Sequence, residues 1–314
     1  MRALSFPGLG LSFELNRVAF TVLGHPIYWY GIIIAVGFLL AVWFCSRQAG
    51  RFGIKPDDII DMLLFAVPLC IIGARAYYVI FYLDLYRRAD GSLDVGKMFR
   101  IWDGGLAIYG AVIMAAIVLF LFCRAKKINF LAFADLGVYG LFIGQLVGRW
   151  GNFMNIEAYG SVTGLPWRMC GPSIAQELLE KGLVDAQAYQ AILDGTLGVH
   201  PTFLYESLWN LAGLCILLVI LEKGRRFDGQ TFFTYLFWYG LGRFWIEGLR
   251  TDSLYFFGTG LRVSQILALV SCVTALCLLI WSFRKRSGET LYVEQMVETT
   301  REKEKGSEDN ADGT

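Results

Sequence analysis

Residues 28–45, YWYGIIIAVGFLLAVWFC, carry no charged side chain and open on Trp29–Tyr30, the aromatic pair that anchors a helix at a bilayer surface. A run of this kind is long enough to cross a hydrocarbon core. Working outward from it, six further runs of about 20 mostly apolar residues follow. They are Ile59–Tyr82, Leu106–Cys123, Phe130–Val147, Phe203–Leu221, Thr231–Gly248 and Ser264–Phe283. The spacing predicts an all-α membrane protein of seven transmembrane helices. Composition agrees: of 314 residues, 56% are hydrophobic and only 18% charged, with a mean hydropathy of +0.51, too little polar surface for a soluble domain of this size. No basic stripe marks a nucleic-acid partner.

Lysine and arginine set an orientation. Arg47/Arg51/Lys55, Arg124/Lys126/Lys127, Lys223/Arg225/Arg226 and Arg284/Lys285/Arg286 follow the first, third, fifth and seventh runs. Basic clusters of this kind stay cytoplasmic, so the pattern predicts an outer N-terminus and a cytoplasmic C-terminus. Met1–His25 lacks the charge, apolar core and cleavage site of a signal peptide. The long loop Arg149–Val199 predicts a small extracytoplasmic cap between spans four and five, with Leu178–Leu193 as an amphipathic helix. Domain 1–286 then holds the spans, and Ser287–Thr314, rich in charge and glycine, predicts a disordered cytoplasmic tail.

Ionisable side chains at membrane depth cost several kcal/mol, roughly 2.5–3.5 at the centre, and each needs a reason. Arg75 lies in the second run, Arg149 ends the fourth, and His200, Tyr205 and Glu206 open the fifth. Arg243, Glu247 and Arg250 stand at i, i+4 and i+7, on one helical face. Glu247 alone reads equally well as an internal neutraliser, but the arginine excess calls for an anion, and guanidinium suits a phosphate. The densest polar run is Gly148–Gly160, GRWGNFMNIEAYG, whose glycines permit close approach and whose Asn152, Asn155 and Glu157 can bind hydroxyls or an ester. Asp103–Gly110 opens the third run with a double glycine, on spacing alone a close-packing device, and places Tyr109 one turn into the membrane, level with Tyr30.

Six of the seven cysteines fall within or at the ends of apolar runs, and Cys170 alone lies in a polar loop, which argues against a disulfide framework. With two histidines and no hydrolase elbow, HExxH or P-loop, metalloprotease and serine-hydrolase chemistry is disfavoured, and no cofactor or metal is expected. A lipid or anion transporter would want paired broken helices in related halves, which are not visible. A non-catalytic lipid-binding factor stays open on spacing alone.

The run GRWGNFMNIEAYG resembles the signature of bacterial phosphatidylglycerol–prolipoprotein diacylglyceryl transferases. Ile27–Gly31, WDGGLAIYGA at Trp102–Ala111, HPTFLYE at His200–Glu206 and GRFWIEGLR at Gly242–Arg250 extend the similarity over most of the chain. The resemblance implies a cytoplasmic-membrane enzyme that moves the sn-1,2-diacylglyceryl group of phosphatidylglycerol to the lipobox cysteine of a prolipoprotein, releasing glycerol phosphate. It implies Arg149 as the lipid-binding residue and Arg243 as a second essential cation, with Tyr30, Asn152, Glu157 and Gly160 on further functional positions. Asn155, Glu247 and Arg250 complete the expected lipid-binding set. Where familiar members carry a histidine proposed as base, this chain has Tyr109, and a phenol, with a pKa of about 10, is a poor base at neutral pH. Either the base lies elsewhere, or the thiol loses its proton to the field of Arg149 and Arg243; the second reading is favoured, with Tyr109 orienting the lipid.

Overall fold

A computed structural model describes residues 2–88, 90–250 and 262–311, with side chains up to 302. The N-terminal segment forms two hairpins, β1 (Arg2–Phe6) with β2 (Leu11–Leu15) and β3 (Val18–Val22) with β4 (His25–Tyr28). Then come α1 (Trp29–Gln48), α2 (Pro56–Phe81), the short α3 (Val95–Met98), α4 (Ile108–Lys126) and α5 (Phe130–Asn155). β5 (Val162–Thr163), α6 (Pro172–Glu180), α7 (Ala186–Leu193) and β6 (Gly198–Val199) precede α8 (Thr202–Lys223), α9 (Gln230–Glu247), α10 (Val263–Lys285) and α11 (Tyr292–Ala311).

The chain is mostly helical, and every expected span lies within a helix give or take a few terminal residues. Among the described residues, six helices are long and apolar enough to cross a membrane: α1, α2, α4, α5, α8 and α10. They make this a multi-pass membrane protein. The seventh, α9, is helical where expected but is not among the six, since Gln230, Arg243 and Glu247 dilute its aromatic face.

Three local expectations are corrected, and one feature is added. The polar run after Val147 is not loop at its start: α5 continues through Asn155, so Arg149 and Asn152 are helical. Nothing in 148–155 is proline, and the helix runs on until Ile156 turns left-handed at φ 54°. The single amphipathic helix expected at Leu178–Leu193 is two helices, α6 and α7, broken where Gly182 takes φ 65° and Asp185 caps α7 by accepting from Ala188 N–H. The N-terminal hairpins went unforeseen, so the fold is helical with small β elements. The tail is helical as α11, whose first turn is closed by Leu291 N–H donating to Glu294 at 3.0 Å; residues 312–314 of that tail lie outside the described residues.

The chain divides into two compact units. The first comprises Met1–Phe44 and Gly137–Glu289. Its apolar cluster joins Leu4, Phe6 and Leu15 of the first hairpin to Ile174, Leu178 and Ile192 of α6 and α7, and to Phe203 of α8. Full burial of each such side chain contributes about 1.5–3 kcal/mol. A bridge between Ser5 and Cys170 seals the hairpin to the segment after β5, and burial pushes the Cys170 thiol up, away from reactivity. Below this, α9 packs along α10, with Gly240 against the Ala268 carbonyl, and along α8 through a reciprocal indole pair. Trp209 Nε1–H donates to the Trp238 carbonyl at 2.9 Å and Trp238 Nε1–H to the Trp209 carbonyl at 2.8 Å. The rings stack at 4.4 Å.

The second unit comprises Cys45–Leu136 and Thr290–Thr314. Here α2 and α4 pack side by side. Gly73 and Gly110 meet at their crossing, where a Cβ on Gly73 would stand 2.8 Å from the Gly110 carbonyl.

Candidate functional site

The densest charge cluster of the first unit is built by α5, α8 and α9. Glu206 lies one turn into α8, 6% exposed. Arg149, two turns before the end of α5, forms an ion pair with it. Arg243 Nη1 stands 3.6 Å and Arg250 Nη1 3.7 Å from the other carboxylate oxygen. Glu247 holds Arg243 at 2.6 Å by the i, i+4 spacing on α9. Arg262 donates to the Glu247 carbonyl, at the last turn of the same helix. Three guanidiniums thus share two carboxylates. Both carboxylates are nearly sealed, whereas Arg149 and Arg243 keep 20% and 22% of their side chains accessible. The open face of the cluster is therefore cationic. It borders a narrow cleft lined by Glu206, Asn210, Tyr239 and Arg243.

The segment after α5 is a strained hook. Ile156 and Ala158 both take left-handed backbone, φ 54° and 55°, which costs of order 1–3 kcal/mol each and persists only where the surroundings impose it. The surroundings do: Arg17 Nε–H donates to the Asn155 carbonyl at 3.2 Å, Glu157 N–H to the Asn152 carbonyl at 3.1 Å, and the Thr202 hydroxyl to the Ala158 carbonyl. The hook turns Glu157 back so that it accepts from Asn152 Nδ2 at 2.9 Å and Asn155 Nδ2 at 3.3 Å. Gly160 then ties the hook to two other elements. Its N–H donates to the His200 carbonyl at 2.9 Å, it bridges to Arg250, and Ser161 N–H donates to the Leu249 carbonyl at 2.7 Å. A Cβ on Gly160 would lie 2.8 Å from both His200 Cβ and the Leu249 carbonyl.

Of the residues singled out in the sequence, Arg149, Arg243, Glu247 and Arg250 converge on one cluster. Asn152, Asn155 and Glu157 form a second, carboxamide–carboxylate group on the adjoining hook. Gly160 links the two, and the Tyr30 ring packs against Gly151, whose Cβ would stand 2.8 Å from Tyr30 Cδ2. Tyr109 lies in the other unit, in the first turn of α4, its ring 6.3 Å from Tyr77. The sequence reading gave Glu206 no task, although it is the hub, and did not mention Arg262. An acidic side chain one turn inside an apolar helix was the available signal for Glu206. His200 is held by Tyr205, whose hydroxyl is 3.2 Å from Nδ1, and burial keeps its pKa down.

Charged side chains gathered between the helices of a multi-pass membrane protein, with arginines that share buried carboxylates and keep a cationic face open, define a class: membrane proteins with a polar site built among their helices. Residues 17–281 match the family described as prolipoprotein diacylglyceryl transferase. Curated relatives carry the name phosphatidylglycerol–prolipoprotein diacylglyceryl transferase. The one from Lysinibacillus sphaericus is 44% identical over 86% of this chain and 93% of its own length. That from Enterococcus faecalis is 43% identical over 85% and 90%, and that from Bacillus mycoides 40% over 91% and 99%. The chain belongs to the prolipoprotein diacylglyceryl transferase family.

Proposed function

We propose that this enzyme transfers the sn-1,2-diacylglyceryl group of phosphatidylglycerol to the cysteine thiol of a prolipoprotein lipobox. The observation that carries the reading is the arginine cluster around Glu206, in a chain of this family. Phosphatidylglycerol enters sideways from the outer leaflet, and its phosphodiester lies across Arg149 and Arg243. Asn152, Asn155, Glu157, Tyr30 and Gly160 shape the headgroup end, while Glu247 and Arg250 hold Arg243 and Glu206 in register. Tyr109 orients the lipid.

The lipobox cysteine arrives on its membrane-inserted signal peptide and loses its proton to solvent in the cationic field. The thiolate attacks the glyceryl carbon bearing the phosphate. The C–S bond forms as the C–O bond breaks, and the electron pair leaves on glycerol phosphate, whose growing negative charge the fixed arginines stabilise. Only this chain's own side chains enter the scheme.

Topology follows the positive-inside pattern: seven spans including α9, the segment 149–199 as an extracytoplasmic cap, the N-terminus outside and the C-terminal segment cytoplasmic. Support for α9 as a span is its long packing against α8 and α10. The lipid bilayer, phosphatidylglycerol and prolipoprotein signal peptides are the partners.

The test is transfer of radiolabelled diacylglyceryl to a lipobox peptide by purified protein, comparing phosphatidylglycerol with other headgroups. Wild type modifies the peptide covalently, and Arg149→Ala does not. Full activity in Arg149→Ala refutes the clamp, and lipid binding without covalent transfer would leave a non-catalytic factor or carrier.

A further inference from the structure

Arg75 takes no part in the arginine cluster around Glu206. It is 7% exposed in α2, and a guanidinium has five N–H groups. All five go to backbone carbonyls of one connecting segment. Nε–H donates to Met98 at 2.7 Å, Nη1 to Gly104 at 2.6 Å and Gly105 at 2.9 Å, and Nη2 to Lys97 at 2.9 Å and Arg100 at 3.1 Å. Its face rests on Tyr86, 5.4 Å from the ring centroid. With every donor used, Arg75 has none left for a phosphate. Its task is the stretch from the last residues of α3 to the two glycines before α4, whose carbonyls it gathers onto one side chain.

Three consecutive residues of α2 grip the start of α4. Gly73 meets Gly110, the Ala74 carbonyl accepts from Ala107 N–H at 3.1 Å, and Arg75 holds Gly104 and Gly105. The double glycine is what the grip requires. Both glycines take positive φ, 83° and 78°, and a Cβ on Gly105 would lie 2.7 Å from Arg75 Nη1. Tyr109 stands between the anchored Ala107 and Gly110.

We propose that Arg75 is a positioning residue for diacylglyceryl transfer: its guanidinium fixes the backbone of Gly104–Gly105 and so the placement of the Tyr109 phenol. The inference rests on the reading that Tyr109 orients the lipid. Arg75 touches no substrate. It acts through the segment it holds.

The test uses the full-length protein in detergent or nanodiscs. Lysine keeps the charge but offers three donors, so Arg75→Lys cannot serve all five carbonyls. The expected result is a loss of roughly ten- to a hundredfold in kcat, the scale of a small misplacement, with KM for phosphatidylglycerol changed by no more than about twofold. Tyr109→Phe should also lose kcat, and the Arg75→Lys/Tyr109→Phe double variant should be no worse than the poorer single, because both remove the same placement. Amide exchange should rise across 97–107 and stay unchanged in α8 and α9. Gly105→Ala, which presses a methyl onto the guanidinium without altering its charge, should repeat the pattern and covers an Arg75→Lys protein that does not fold. Multiplicative losses, a silent Tyr109→Phe, or a rise in KM alone overturns the proposal. If wild type fails to modify a lipobox peptide, the functional reading falls. The exchange data then judge the grip alone, with unchanged protection in Arg75→Lys refuting it.

Discussion

Neutralising Glu206 tests the cluster most directly. Glu206→Gln keeps the shape of the side chain and removes one of two carboxylates among three guanidiniums. At an effective dielectric of about 20, each contact near 3.6–3.7 Å is worth roughly 4–5 kcal/mol before desolvation. Desolvation of a carboxylate this deeply buried cancels much of that, and breaking a buried pair costs about 3–5 kcal/mol. Because Arg149 and Arg243 are each about a fifth exposed, water screens part of the repulsion left behind, and a net loss of about 2–3 kcal/mol is expected. That corresponds to a thermal midpoint lower by roughly 3–5 °C for a chain of 314 residues. Catalysis should suffer differently. The freed arginines still attract an anion, so KM for phosphatidylglycerol should not rise, but they splay apart and no longer match the leaving phosphate. A fall in kcat of about ten- to a hundredfold follows. Transfer kinetics with radiolabelled lipid, alongside thermal unfolding in the same detergent, separate the two effects. An unaltered midpoint with unaltered kcat refutes the hub, and a higher KM at constant kcat means that Glu206 contacts the substrate rather than the arginines.

Gly160→Ala should reduce transfer by at least about tenfold, since its methyl group pushes the hook away from His200 and from the Leu249 carbonyl; wild-type rates in the same assay would refute this. His200 carries a pKa depressed by burial. The unfolded chain therefore takes a proton first on acidification, and stability present above about pH 6.5 is lost as pH falls through the folded pKa. His200→Gln should flatten the thermal midpoint between about pH 7 and 5.5, and an unchanged slope would show that other groups set it. Trp209→Phe keeps an aromatic ring but deletes the N–H given to the Trp238 carbonyl, at about 0.5–1.5 kcal/mol. The midpoint should drop by about 1–2 °C and the near-UV circular dichroism of the stacked indoles should vanish; a retained signal would mean that the pair does not survive in solution.

Helix positions were legible because the apolar runs are long and uninterrupted, and because a bilayer leaves the backbone little choice but helix. The family, too, was legible from the run Gly148–Gly160. What local pattern could not give was tertiary. The end of α5 was misplaced because glycine and asparagine read as helix stops, whereas Gly151 makes room for Tyr30 within a continuing helix. Lys181–Asp185 looked continuous in its apolar period but is broken by a left-handed glycine and an aspartate cap. The first hairpin is half of a core whose other half lies some 170 residues away in α6, and α11 was read from composition alone. Glu206 stands out in the sequence as an acidic side chain at membrane depth, but its place as the hub was hidden for the same reason. Its three partners come from two other helices and the turn after α9, so only the folded chain brings them together.

The helix that fares worst as a membrane span is α9, and that is informative about mechanism. Arg243 and Glu247 lower its hydropathy, yet it packs against α8 and α10 over much of its length and is clasped by the reciprocal Trp209–Trp238 bonds. A helix that carries two charges is costly in lipid, so its stability is borrowed from its neighbours, through Gly240 against α10 and the indole pair against α8. The same contacts fix the register in which Arg243 reaches Glu206. Stability and chemistry therefore share one set of packing contacts. Loosening them should show first as lost catalytic geometry and only later as unfolding, because Arg243 sits at the open end of the helix, beyond the indole clasp.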